Sequence, residues 1–137
     1  RLVCEEYGGD AARIWAPGSS AAQVEARLLR FTKIGPKKSA MAVEILCSRL
    51  GVPLIGLEST NVAYDVHVRR VFLRTGIVDR DDINVVKRAA RELHPSRPGW
   101  LDLPTWQIGR GWCHSSNPEC ATCPLTGVCP KLIHRNI

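Results

Sequence analysis

The 137-residue sequence contains no apolar run long enough to cross a bilayer, which argues against an integral membrane protein. Its start, Arg-Leu-Val-Cys-Glu-Glu, has neither the apolar segment nor the small-residue cleavage site of a secretory signal. There is no internal repeat, no low-complexity tract and no convincing strand pattern, so the reading is all-α. Acidic residues are in short supply. Thirteen Asp and Glu against 19 Lys and Arg leave a net charge of +6, which favours a polyanionic partner without identifying one. These absences leave a soluble, helical chain of one domain or two small lobes.

What the chain does have is cysteine at an informative spacing. Cys113, Cys120, Cys123 and Cys129 form C-x6-C-x2-C-x5-C. Four thiolates supplied by one short loop are how proteins hold an iron–sulfur cluster. Structural zinc usually takes two close pairs joined by a longer arm, and here only Cys120 and Cys123 are close. Zinc, with His114 able to replace a cysteine, and a pair of disulfides stay open as alternatives. The pattern favours a [4Fe-4S] cluster. Its thiols must be reduced before loading, which points to an intracellular, reducing compartment such as the cytoplasm or nucleoid of a prokaryote. Cys4 and Cys47 lie in helical, apolar settings and are expected in the core.

Helix signals run through the chain. Residues 1–7 read as a helix ended by Gly8-Gly9. Ser20 with Gln23 three residues on is a capping box, opening a helix to about Phe31 with Val24 and Leu28 on one face. Pro36 suits a first helical position, where its missing N–H costs nothing. The helix it opens carries Val43, Leu46, Cys47 and Leu50 at i, i+3, i+4, i+7 and stops at Gly51. Residues 51–61 have no clear period and read as a linker. A helix from near Asp65 turns Val68, Val71, Phe72 and Thr75 inward. Asp79, Asp81 and Asp82 precede another, with Ile83, Val86, Ala90 and Leu93 periodic. Asp102-Leu103-Pro104 opens the last helix, which delivers Trp112 and Cys113 to the cysteine loop. The four tryptophans are expected at core or seam positions.

Two helices joined by Lys33-Ile34-Gly35-Pro36 make a short helix-hairpin-helix. Gly35 lets the backbone approach a phosphate, and the free N–H groups at the start of the Pro36 helix point at that anion. Lys33, Lys37 and Lys38 add favourable charge. Alone, such a turn reads equally well as an αα-corner with solvated lysines.

The order of motifs is more specific. F-x-x-I-G-P-K-K-S-A is followed by Y-D-V-H-V-R-R-V, then I-G-R-G-W-C and the four-cysteine loop. This series resembles the helix-hairpin-helix (HhH-GPD) base-excision DNA glycosylases, in the iron–sulfur branch typified by endonuclease III. The resemblance covers nearly the whole chain. It implies an all-α fold in which residues 1–60 are part of a helical-barrel lobe carrying the hairpin and residues 61–137 a lobe ending in the cluster loop. It also implies that N-terminal helices present in relatives are supplied by upstream sequence or by another chain. The Val24/Leu28 and Val43/Leu46/Leu50 stripes, with too few helices to face, carry the same expectation.

Carried over position by position, the resemblance makes Lys37 the nucleophile for C1′ of the damaged nucleotide and Asp65 the assisting carboxylate. Lys33, Ile34, Gly35 and Lys38 become DNA contacts, and Cys113, Cys120, Cys123 and Cys129 the [4Fe-4S] ligands. The implied partner is double-stranded DNA containing a damaged or mismatched base, and the implied activity is that of a glycosylase with AP lyase function. A cluster-bearing DNA-binding module without chemistry, and a monofunctional glycosylase using Asp65 alone, are the alternatives. The chain departs from the family pattern in three places. Lys33 stands where a first hairpin glycine is usual, the span from Lys37 to Asp65 is long, and His114–Glu119 lacks basic residues.

Overall fold

The computed structural model describes residues 1–135. Among them the chain is all helical, apart from one isolated bridge between Ser20 and Ile55. No described helix is long and apolar enough to cross a membrane. Helix α1 (Leu2–Tyr7) ends at Gly8, whose φ of 63° lets its N–H reach back to the Val3 carbonyl. After a 3₁₀ turn over Ala11–Trp15, α2 (Ala21–Leu29) opens with the expected capping box, Ser20 and Gln23 each bonding the other's backbone N–H. Helix α3 (Pro36–Ser48) begins with proline in its first turn. Helices α4 (Val66–Arg74) and α5 (Ile83–Leu93) are capped by Asp65 and Asp82, and α6 (Asp102–Gly111) leads into the cysteine loop.

Two apolar cores organise these elements. The first joins Tyr7, Ile14, Val24, Leu28, Val43, Leu46 and Leu54, with α2 packed on α3. The second joins Val62, Val68, Phe72, Leu73, Val78, Val86 and Ala90. Helix α6 lies across α4 at Gly109, where an added Cβ would stand 2.7 Å from the His67 Cβ. Polar ties span the cores. Arg97 forks onto both carboxylate oxygens of the buried Glu44 at 2.8 and 3.1 Å, and Gly99 N–H donates to Thr60 Oγ1 at 3.0 Å.

Several expectations are corrected. The second helix stops at Leu29 rather than Phe31, and α3 stops at Ser48, leaving Leu50 66% exposed and off the buried stripe. The Val24/Leu28 and Val43/Leu46 stripes bury one another, while Leu29, Met41 and Ile45 on the same two helices stay exposed. Val86, Ala89 and Ala90 form the buried face of α5, whereas Ile83 and Leu93, at its two ends, are exposed. Cys4 is exposed, and Cys47 is only half-buried against the first core. None of the tryptophans is fully buried. Trp15, Trp106 and Trp112 are half-covered and Trp100 is exposed beside the His94 ring, as suits large amphipathic rings at seams.

Candidate active site

The hairpin turn places the first candidates. Lys33 takes a left-handed conformation with φ of 70°, the geometry in which glycine is ordinarily comfortable and a side chain is strained. Its carbonyl accepts the Lys38 ammonium at 3.0 Å, so Lys38 braces the turn while keeping its charge beside it. The side chain of Ile34 packs on the first core and anchors the turn from below. Gly35 is the residue before α3 and has no side chain to cap it, and nothing stands within 4 Å of where a Cβ would be. That open space lies over the unpaired N–H groups of the helix start, an arrangement suited to an anion.

Lys37 and Asp65 meet at this helix start. The Lys37 Nζ lies 3.6 Å from Asp65 Oδ2, the lysine half-exposed and the aspartate buried. The two carboxylate oxygens divide their work. Oδ1 accepts the N–H groups of His67 and Val68, both at 2.9 Å, capping α4, and Oδ2 is left to face the lysine. Capping therefore fixes the direction of Oδ2. His67 Nδ1 pairs with Arg70 at 3.0 Å, and its ring meets Trp106 edge-on.

Asp102, an unsuspected carboxylate, stands behind this pair. It is buried and accepts the Ala63 N–H at 3.0 Å. Burial pushes its pKa up to about 6, and the charges of Asp65 and Glu44 push the same way, against the pull of Ala63 N–H and Lys37. Its sequence position signalled only a helix start.

The cysteine loop follows α6. Cys113, Cys120, Cys123 and Cys129 all line one cavity of about 30 Å³, together with Val71, Arg74 and Trp112. Among the described residues, no group of three or more His, Cys, Asp or Glu side chains is placed to hold a metal ion directly. Four thiols lining one cavity are a donor set of the kind that holds a multinuclear cluster, in which each thiolate ligates a different iron. Two arginines of α4 shape the loop. Arg70 donates to the carbonyls of Cys113 (2.5 Å) and Gly109 (2.8 Å), and Arg74 to those of His114 (2.5 Å) and Ser115 (2.9 Å). Arg74 also approaches Cys113 Sγ at 3.7 Å, and Lys131 N–H donates to Cys129 Sγ at 3.3 Å. Cationic and N–H donors toward sulfur fit a thiolate-ligated, negatively charged group. The spacing of Arg70 and Arg74, i to i+4 among inward-facing apolar residues, was the available signal for their burial.

No family model matches the chain. The chain is 28% identical over 132 residues to endonuclease III of Bacillus subtilis (strain 168), covering 94% of this chain and 51% of that protein. It is 26% identical over 106 residues to an endonuclease III homolog of Encephalitozoon cuniculi (strain GB-M1), covering 76% of this chain and 40% of that one. Its fold matches that of a trapped endonuclease III–DNA covalent intermediate, an estranged-adenine complex, with a TM-score of 0.64 at 22% identity. It also matches a non-covalent endonuclease III–DNA complex with a TM-score of 0.66 at 23% identity. The chain is thus similar in sequence to endonuclease III proteins and shares the fold of solved endonuclease III structures. The solved endonuclease III structures are covered over 55% and 54% of their length by 98% of this chain. The chain thus spans about half the length of the endonuclease III proteins it matches.

Proposed function

We propose that the protein is a base-excision DNA glycosylase with AP lyase activity, acting on double-stranded DNA that carries a damaged or mismatched base. The observation that carries this reading is the meeting of Lys37 Nζ and Asp65 Oδ2 at the start of the hairpin helix. An amine nucleophile, a carboxylate for developing positive charge and an anion-binding turn are the groups that this chemistry needs in one place.

The target nucleotide is rotated out of the stack, which costs least for a damaged or mismatched base. Lys33, Lys38 and the backbone of Ile34 and Gly35 hold the phosphodiester beside the turn, without reading base edges. Lys37, having given up a proton, attacks C1′ with its Nζ lone pair. The glycosidic bond breaks, its electron pair leaves with the base, and the base takes up a proton. Asp65 Oδ2 faces the positive charge that develops on the sugar, and because Oδ1 stays on the α4 cap the carboxylate need not reorganise. Ring opening gives a Schiff base between Nζ and C1′. This withdraws electrons, so that loss of a C2′ proton expels the 3′ phosphate. Water then hydrolyses the imine and frees Lys37.

Cys113, Cys120, Cys123 and Cys129 would hold the [4Fe-4S] cluster. When bound, it supplies four ligand bonds that fix the loop after α6, and none of the steps above passes through it.

Borohydride trapping on lesion-containing duplex tests the reading. Wild-type protein gives a reduced covalent adduct, and Lys37→Gln gives none while still binding DNA. Base loss without an adduct would support a monofunctional glycosylase using Asp65. Neither base loss nor adduct would leave a DNA-binding module and overturn the proposal.

A further inference from the structure

We propose that Asp102 is a positioning residue for the Lys37–Asp65 pair: its carboxylate fixes the Ala63–Asp65 turn that aims Asp65 at Lys37. The inference rests on the lyase reading of that pair and adds a group that acts from inside the molecule.

The chain of contacts is short. Asp102 Oδ1 accepts Ala63 N–H at 3.0 Å, and Ala63 C=O accepts Asp65 N–H at 2.7 Å. Asp65 then caps α4 through Oδ1 and presents Oδ2 to Lys37. The backbone on either side of Asp65 is therefore set by α6 and α4 together. The second core holds this turn, since Val62 and Ala63 are buried, and α6 carries Asp102 to it from 39 residues away.

A helix-start carboxylate usually serves its own helix, through the macrodipole or a local cap. Asp102 bonds a different element instead. A buried carboxylate is costly unless it is hydrogen-bonded, and here the surrounding charges do not simply repay that cost. Lys37 and Glu44 face it from α3, Asp65 faces it from the α4 cap, and Glu44 is already matched by Arg97. An apolar residue at position 102 would avoid the burial cost, and what it could not provide is an acceptor for Ala63 N–H.

The test compares Asp102→Leu with Asp102→Asn in the full chain, with cluster content and helical circular dichroism monitored. The Leu variant removes the acceptor and the Asn variant keeps one. Misplacement of catalytic groups by about an ångström can cost on the order of 100-fold. The trapping rate of Asp102→Leu should therefore fall by about that factor, with DNA affinity unchanged, and Asp102→Asn should restore it. Amide exchange at Ala63 should be fast in the Leu variant and slow in wild type and the Asn variant. A folded Leu variant that traps at the wild-type rate would overturn the proposal. If the Leu variant does not fold, fast Ala63 exchange or loss of trapping in the folded Asn variant would overturn it. If wild type itself never traps, the lyase reading fails, while Ala63 exchange still reports whether Asp102 holds the turn.

Discussion

In the hairpin region, Tyr7, Val24, Leu28, Val43 and Leu46 are buried against one another, whereas no residue from 111 to 135 is fully buried. The first region is held by removal of apolar surface from water, a force that needs no particular geometry. The cysteine loop has no such core. It is shaped by carbonyls that converge on Arg70 and Arg74 and by four thiols round a cavity. Lys37 belongs to the first kind of structure. Asp65 caps the helix that organises the second. The candidate site therefore lies at the junction of an apolar core and a region shaped by polar ties.

The largest effect should come from breaking the cluster ligation proposed for the loop. Cys123→Ser should lose iron and most of the soluble protein, and anaerobic metal analysis of wild type should find about four irons per chain. Chelating the metal should open residues 113–129 to proteolysis while α2 and α3 keep slow amide exchange. Equal loss of protection in both regions would erase the distinction between them.

Leu46→Ala, in the first core, should cost about 2–5 kcal/mol in urea unfolding without changing iron content. Gly109→Ala tests the crossing of α4 and α6. Its Cβ would stand 2.7 Å from the His67 Cβ, and the overpacking should cost about 1–3 kcal/mol. It should also disturb Arg70, which donates to the Gly109 carbonyl, so loop proteolysis should rise.

Asp102→Asn should have a smaller, pH-dependent effect. The pKa of Asp102 is raised in the folded chain to about 6, so its contribution to stability is present at low pH and is lost as pH rises through 6. Wild type should therefore lose stability relative to Asp102→Asn between pH 4.5 and 7.5, by about 1–2 kcal/mol in urea midpoints. A constant difference across that range would assign the ionisation elsewhere. Smallest of all, Glu5→Ala removes an exposed i,i+4 pair with Arg1 and should change stability by about 0.3 kcal/mol.

What the sequence made legible followed from local chemistry. The Ser20–Gln23 box, Pro36 at a helix start, Asp65 as a cap and the Gly8 stop depend on residues within one turn of one another. The pairing of Lys37 with Asp65 came from the order of motifs rather than from periodicity, which carries no information about contacts 28 residues apart. Asp102, Arg70 and Arg74 were missed for the same reason. Their partners lie about 40 residues away, and only the i to i+4 spacing of the two arginines among apolar residues hinted at burial. Leu50 failed differently: its spacing continued the stripe, but the helix ended at Ser48 and the chain turned it outward.

On the proposed reading, Lys37 is the amine that meets the sugar. Borohydride-trapped wild-type adduct, digested and mapped by mass spectrometry, tests it directly. The modified residue should be Lys37, whose Nζ faces Asp65 Oδ2, and no adduct should map to Lys38, whose ammonium is engaged by the Lys33 carbonyl. An adduct on Lys38, or on any amine other than Lys37, would contradict the account.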